Sequence, residues 1–150
     1  MRSMTTAPGP FAVDESSDFG ARAARRLRSE IVVWLTTVAP SGTPVPNPVW
    51  YLWDGADQVL VHSLPDSARA RHLADHPQVS LHFDGDGRGG DIVALSGLAR
   101  PRPDAPPADA DEAYLAKYAD QIARIGHTPR SFAERYSLPV AITLTRLRGH

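Results

Sequence analysis

Cysteine is absent from this chain of 150 residues, which removes disulfides, thiolate catalysis and Cys-ligated zinc or iron–sulfur centres together. Lysine is almost absent: of sixteen basic residues only Lys117 is a lysine, so strong anion contacts must lean on arginine. No run of 18 apolar residues occurs, which leaves no candidate for a membrane-spanning helix. Charge of one sign is missing too. The net charge of −1, with no basic stripe interleaved with aromatics, argues against a nucleic-acid partner. Neither H-E-x-x-H nor G-x-S-x-G is present, so zinc-protease and serine-hydrolase chemistry have no support, and no metal is expected.

What remains is a chain with 42% hydrophobic residues, enough for one core and one domain. Residues 1–18 are rich in Ser, Thr, Pro and Gly and hold no apolar stretch of signal-peptide length. The expectation is a disordered segment over 1–18, a single domain over 19–150, and a cytoplasmic protein with no membrane partner.

Apolar spacing from Phe19 through Ala23, Ala24 and Leu27 predicts a helix over 21–30. Residues 31–38 are β-branched and apolar and too few for a core helix, so they predict a central strand. Residues 45–53 predict a second strand. Pro44, Pro46 and Pro48 donate no ladder hydrogen bonds, which puts its first half at a sheet edge or beside a ligand. A tight turn at 54–57 leads to a strand over 58–63, then a helix that Pro77 stops near His76. Strands over 79–83 and 91–99 flank a glycine-rich connection, and residues 101–109 read as a proline-rich linker. Helices over 111–125, with Tyr114, Leu115, Tyr118, Ile122 and Ile125 along one side, and over 129–136 precede a last strand over 138–147. Hairpins join most strands. The predicted fold is therefore mainly β with flanking helices, mostly antiparallel and rolled into a small barrel.

The most informative stretch is 58–73. Val59, Leu60 and Val61 form the strand, Pro65 and Asp66 break it, and Asp66 is placed to cap a helix whose first turns carry Ser67, Arg69 and Arg71. Free N–H groups, a hydroxyl and guanidinium groups at one helix start favour a phosphate, although an arbitrary Arg pair more often forms a solvated face. Residues 85–90 match G-x-G-x-x-G literally, but β-type residues follow where a dinucleotide site needs a helix, so the segment reads as a hairpin loop. His72 and His76 share a helical spacing, with His62 and His82 on flanking strands, yet no carboxylate completes a metal set. Strand alternation puts Trp50 on one face and Tyr51 with Trp53 on the other, one face being core and the other free to cover a ligand ring or an interface.

On these segments the chain resembles the pyridoxamine-phosphate-oxidase-like split β-barrel superfamily. The carrying residues are 43–55, 62–73, 76–81 and 136–150, and the resemblance covers about 21–150. Within the superfamily it looks most like the small actinobacterial coenzyme F(420)-dependent oxidoreductases. The resemblance implies a split barrel and a homodimer with two cofactor sites at its interface. It implies a cofactor phosphate at Ser63, Ser67, Arg69 and Arg71, and a cofactor ring against Pro48, Val49 and Trp50. It also implies hydride transfer from reduced F(420) to an electron-poor small molecule. FMN or FAD in the same site, or a non-catalytic module for flavin, haem or tetrapyrrole, are the alternatives. Residues 47–53 contain no basic residue, so the further phosphate contacts of vitamin B6 oxidases are missing. The catalytic residue stays unknown; His62 and Tyr51 are the candidates for a proton donor.

Overall fold

The computed structural model describes residues 11–150. The segment expected to be disordered thus lies mostly outside the described residues. From Phe11 onward, Phe11 and Val13 pack against the core and Ser17 caps the first helix, its Oγ accepting from Gly20 N at 2.9 Å. That helix, α1, is Asp18–Ser29. It is followed by β1 Val33–Val38, β2 Pro44–Val49, β3 Leu52–Trp53, β4 Gln58–Ser63, α2 Ala68–Asp75, β5 Gln78–His82, β6 Val93–Pro101, α3 Glu112–Arg124, α4 Pro129–Arg135 and β7 Leu138–Gly149. Every strand pair is antiparallel, and the seven strands form one sheet in the order β2-β1-β5-β6-β7-β4-β3.

One feature of that order dictates the shape. The predicted strand over 45–53 is two strands, and they lie at opposite edges of the sheet. Six inter-strand steps in a flat sheet would separate those edges by roughly 29 Å. The chain has only Trp50 and Tyr51 to join them, a reach of at most about 11 Å from Val49 to Leu52. The sheet must therefore roll until its edges nearly meet, which gives an antiparallel split barrel with its seam at Trp50–Tyr51. The prolines fall where the edge reading put them, since Pro44, Pro46 and Pro48 all lie on edge strand β2.

Two hydrophobic clusters follow. The larger fills the barrel with Leu35, Tyr51, Val61, Leu81, Leu95 and Ile142 among others, closed by Ala23, Ala24 and Leu27 of α1. The smaller, outside the seam, joins Tyr114, Tyr118 and Ile122 of α3 to Phe132 of α4, with Trp50 packed against it. Ile125, predicted on the inner side of α3, is half exposed because the helix has ended at Arg124. In β6 the chain bulges between Ser96 and Gly97. A Cβ at Gly97 would stand 2.7 Å from Ile142 Cγ2 and 2.9 Å from Thr143 O, so the close approach of β6 to β7 requires glycine there.

At the seam the backbone of Tyr51 has no ladder partner. The buried Tyr118 hydroxyl supplies one: it accepts from Tyr51 N at 2.8 Å and has Ile31 O at 2.7 Å and Tyr51 O at 2.9 Å to donate to. Tyr118→Phe would take this partner from the Tyr51 N–H and the Ile31 carbonyl, while the Tyr51 carbonyl keeps the Lys117 amine. We expect a loss of about 1–3 kcal/mol, read as a lower urea midpoint with an unchanged slope; an unchanged midpoint would show that the seam does not need the hydroxyl.

Candidate functional site

The residues predicted to hold a ligand come from the two strand ends beside the seam and from the helix after β4. Strand β4 runs over the predicted 58–63, and α2 follows a turn in which Ser67 N donates to Leu64 O. The cap of α2 is Ser67 rather than Asp66: Ser67 is extended (φ −69°, ψ 155°), and its Oγ accepts from Ala70 N at 3.1 Å. Asp66 is consumed by the turn, and its carbonyl accepts from Arg71 Nη1 at 2.9 Å.

A cavity of about 350 Å³ opens between β2, β4, α2 and the α3–α4 pair. Pro48, Val49, Trp50, His62, Ser67 and Arg69 line it, opposite an aromatic wall of Tyr114, Phe132 and Tyr136. The Trp50 ring is stacked on its neighbours, 5.0 Å from Tyr118 and 5.5 Å from Phe132, both nearly parallel to it. The wall is set by local capping. Asp111 Oδ1 accepts from Tyr114 N at 3.1 Å to start α3, and a Thr128–Ser131 capping box starts α4.

Arg69 reaches across the cavity floor, and its Nη2 donates to the buried Ser63 Oγ at 3.1 Å. Its Nε is buried with no partner, and among the described residues no carboxylate forms an ion pair with it. Burial pulls its pKa below the ordinary arginine value. A guanidinium taken from water and left without a counter-charge is unfavourable by itself and favours an anion. His62 is 6% exposed and both its ring nitrogens lack partners. Its ring stands edge-on to Tyr114 at 4.8 Å. Burial pushes its pKa down, with Asp111 opposing, so the neutral imidazole is favoured.

Two predicted residues fall elsewhere. Arg71 is exposed on the far side of α2, because a step of two residues turns a helix by roughly 200°. Tyr51 is fully buried in the barrel core, where its hydroxyl donates to Arg26 O at 3.1 Å. It has no access to the cavity and cannot give it a proton. Conversely, the wall residues Tyr114, Phe132 and Tyr136 were read only as helix positions; the i, i+4 spacing of Phe132 and Tyr136, on a helix following an aromatic one, was the available signal. Residues 85–90 form the predicted hairpin loop, with Gly87 and Gly89 at positive φ. Among the described residues no group of three His, Asp or Glu is placed to hold a metal ion, and no helix is long and apolar enough to cross a membrane.

Residues 19–148 match the protein family described as Pyridoxamine 5'-phosphate oxidase. Among solved structures, the conserved hypothetical protein Rv2991 from Mycobacterium tuberculosis is 22% identical, with a TM-score of 0.64 over 94% of this chain and 88% of that one. An F(420) reductase is 19% identical, with a TM-score of 0.60 over 83% and 94%. HutZ, the heme storage protein from Vibrio cholerae, is 16% identical, with a TM-score of 0.56 over 83% and 90%. At these identities the likeness is one of fold. No protein of curated function matches.

The His62 environment sets a pH dependence. Its folded pKa lies below the ordinary 6.5, so the unfolded chain binds the proton more readily. His62 therefore lowers stability as pH falls from about 6.5 toward its folded pKa, and has no such effect above 6.5. His62→Gln should flatten the fall in unfolding free energy between pH 7 and 5; an unaltered profile would place the imidazole in water.

Proposed function

The chain belongs to the pyridoxamine 5'-phosphate oxidase family, and from that premise we propose that it is an oxidoreductase that uses the reduced deazaflavin F(420). The observation that carries the reading is Arg69, a half-buried arginine whose Nε is buried without a partner and which pairs with no carboxylate among the described residues, in the lining of a cavity that also holds aromatic rings. That donor set fits a planar ring carrying a phosphate. Arg69 and Ser67 bind the phosphate, with Ser63 fixing Arg69 from behind. Pro48, Val49 and Trp50 support the ring. His62, neutral and with both nitrogens unspent, hydrogen-bonds the ring or the substrate, and would hand over a proton only after taking one up from solvent. F(420), when bound, supplies the hydride that an electron-poor small molecule accepts. The protein contributes orientation and exclusion of water. The phosphate logic applies equally to FMN or FAD. F(420) is the first choice on the resemblance to F(420)-dependent oxidoreductases, and the lack of basic residues over 47–53 argues against pyridoxamine phosphate oxidation.

The working unit is a homodimer. Support comes from the family and from Val32 and Leu98, large apolar side chains left 37% and 47% exposed on the single chain. A second reading, a non-catalytic haem or tetrapyrrole module, is favoured by one feature: the unpartnered nitrogens of His62 could serve an iron.

Titration of the purified protein with F(420), FMN, FAD and haem, side by side, separates these readings. F(420) should bind tightest, and Arg69→Ala should weaken it by about 10- to 150-fold, the effect of roughly 1.5–3 kcal/mol for a charge-assisted contact. Arg71→Ala should bind within twofold of the parent. Tight haem binding that His62→Ala abolishes, with no F(420) binding, would establish the second reading instead. Sedimentation should show a dimer of the 16.3 kDa chain at micromolar concentration.

A further inference from the structure

The single lysine of the chain stands away from the cavity just described, on the other side of the seam. A second cavity, of about 400 Å³, lies between α1, β3 and α3; Leu27, Leu52, Trp53, Ala113 and Ala116 line it, with Arg28 and Lys117. The Lys117 amine lies 3.7 Å above the Tyr51 ring and 5.1 Å from that of Tyr118, and donates to Tyr51 O at 3.0 Å. The charged groups around it are already committed. Glu30 accepts from Arg26 Nε at 3.0 Å, and Arg28 is paired with Glu15 at 2.8 Å. Among the described residues no carboxylate pairs with Lys117 itself. The amine is thus a primary amine held between aromatic faces, at the edge of a mostly apolar cavity, without a counter-ion. Burial without a counter-ion favours its uncharged, nucleophilic form, against the pull of the ring faces toward the ammonium.

We propose that Lys117 is a second reactive site, forming a reversible imine with small aldehydes of apolar body that enter this cavity. The Nζ lone pair adds to the carbonyl carbon and the C=O π pair moves to oxygen. A proton passes from nitrogen to oxygen to give the carbinolamine. The nitrogen lone pair then expels the hydroxyl group, which takes a proton from solvent and leaves as water, and the C=N bond forms as a protonated imine. Nothing is oxidised or reduced. The protonated imine keeps one N–H, which Tyr51 O is placed to accept as it accepts the ammonium N–H now. The apolar lining of Leu27, Leu52 and Trp53 takes the body of the aldehyde, and the site needs no occupant in the first cavity.

The test uses the full chain, benzaldehyde as probe and cyanoborohydride to reduce any imine to a stable secondary amine, with peptide mapping to separate Lys117 from the α-amine. Burial lowers the Lys117 pKa to about 8, with Glu30 opposing. At pH 7 this frees roughly 300-fold more neutral amine than an ordinary lysine, while the weaker basicity offsets part of that gain. Labelling at Lys117 should therefore be about tenfold faster than that of Nα-acetyl-lysine, and its rate should level off above about pH 8. Ala116→Trp, at an exposed position on the cavity wall, should slow labelling several-fold and leave the pH at which it levels unchanged. Lys117→Arg should keep the fold and lose the label. Labelling no faster than Nα-acetyl-lysine, or an unchanged rate in Ala116→Trp, would overturn the proposal.

Discussion

The chain crosses from one edge of its sheet to the other through Trp50 and Tyr51, and the rest of the molecule is arranged around that crossing. A two-residue connection forces the sheet to roll. The roll leaves a seam at which Tyr51 has neither neighbour of a normal ladder, and buried backbone polar groups must be paired somewhere. Helix α3 pairs them from outside, through the Tyr118 hydroxyl and the Lys117 amine. Because α3 is thereby fixed across the seam, its remaining aromatic, Tyr114, joins Trp50 in lining the cavity beside the end of β4. The cavity follows from the way the barrel fails to close.

The same crossing separates two environments. Tyr51 points into the barrel, where burial raises its pKa and keeps the phenol neutral. Trp50, one residue earlier, points outward onto Tyr118 and Phe132. The strand alternation of these two side chains is ordinary, but at the seam it divides core from site. On either side of it stands a half-buried cation that pairs with no carboxylate among the described residues, Arg69 in the first cavity and Lys117 beside the second. Arg69 cannot lose its proton and is suited to hold an anion. Lys117 can lose one and is suited to react.

Much of the architecture was legible because it rests on local chemistry. Strand β4 over 58–63, the prolines of β2 at an edge and the hairpin at 85–90 follow from β-branched runs, missing N–H donors and glycine turns. The break of residues 45–53 into two strands was not legible. Its residues are continuous in β character, and what divides them is a hydroxyl 67 positions away in sequence. Asp66 and Ser67 are both good caps, and only the turn from Leu64 decides between them. Arg69 and Arg71 looked alike in sequence, yet helical geometry turns one toward Ser63 and the other to solvent. Tyr51 fell to the core for the same reason Trp50 did not, a parity that a sequence fixes only once the buried face is known.

A crystal structure with F(420) bound tests the proposed site most directly. The cofactor phosphate should contact Arg69 and Ser67, its ring should lie against Pro48, Val49 and Trp50, and a His62 nitrogen should stand within hydrogen-bond distance of the ring or of the substrate space above it. A cofactor seated elsewhere, with Arg69 still unpaired and Trp50 still covered only by Tyr118 and Phe132, would contradict it.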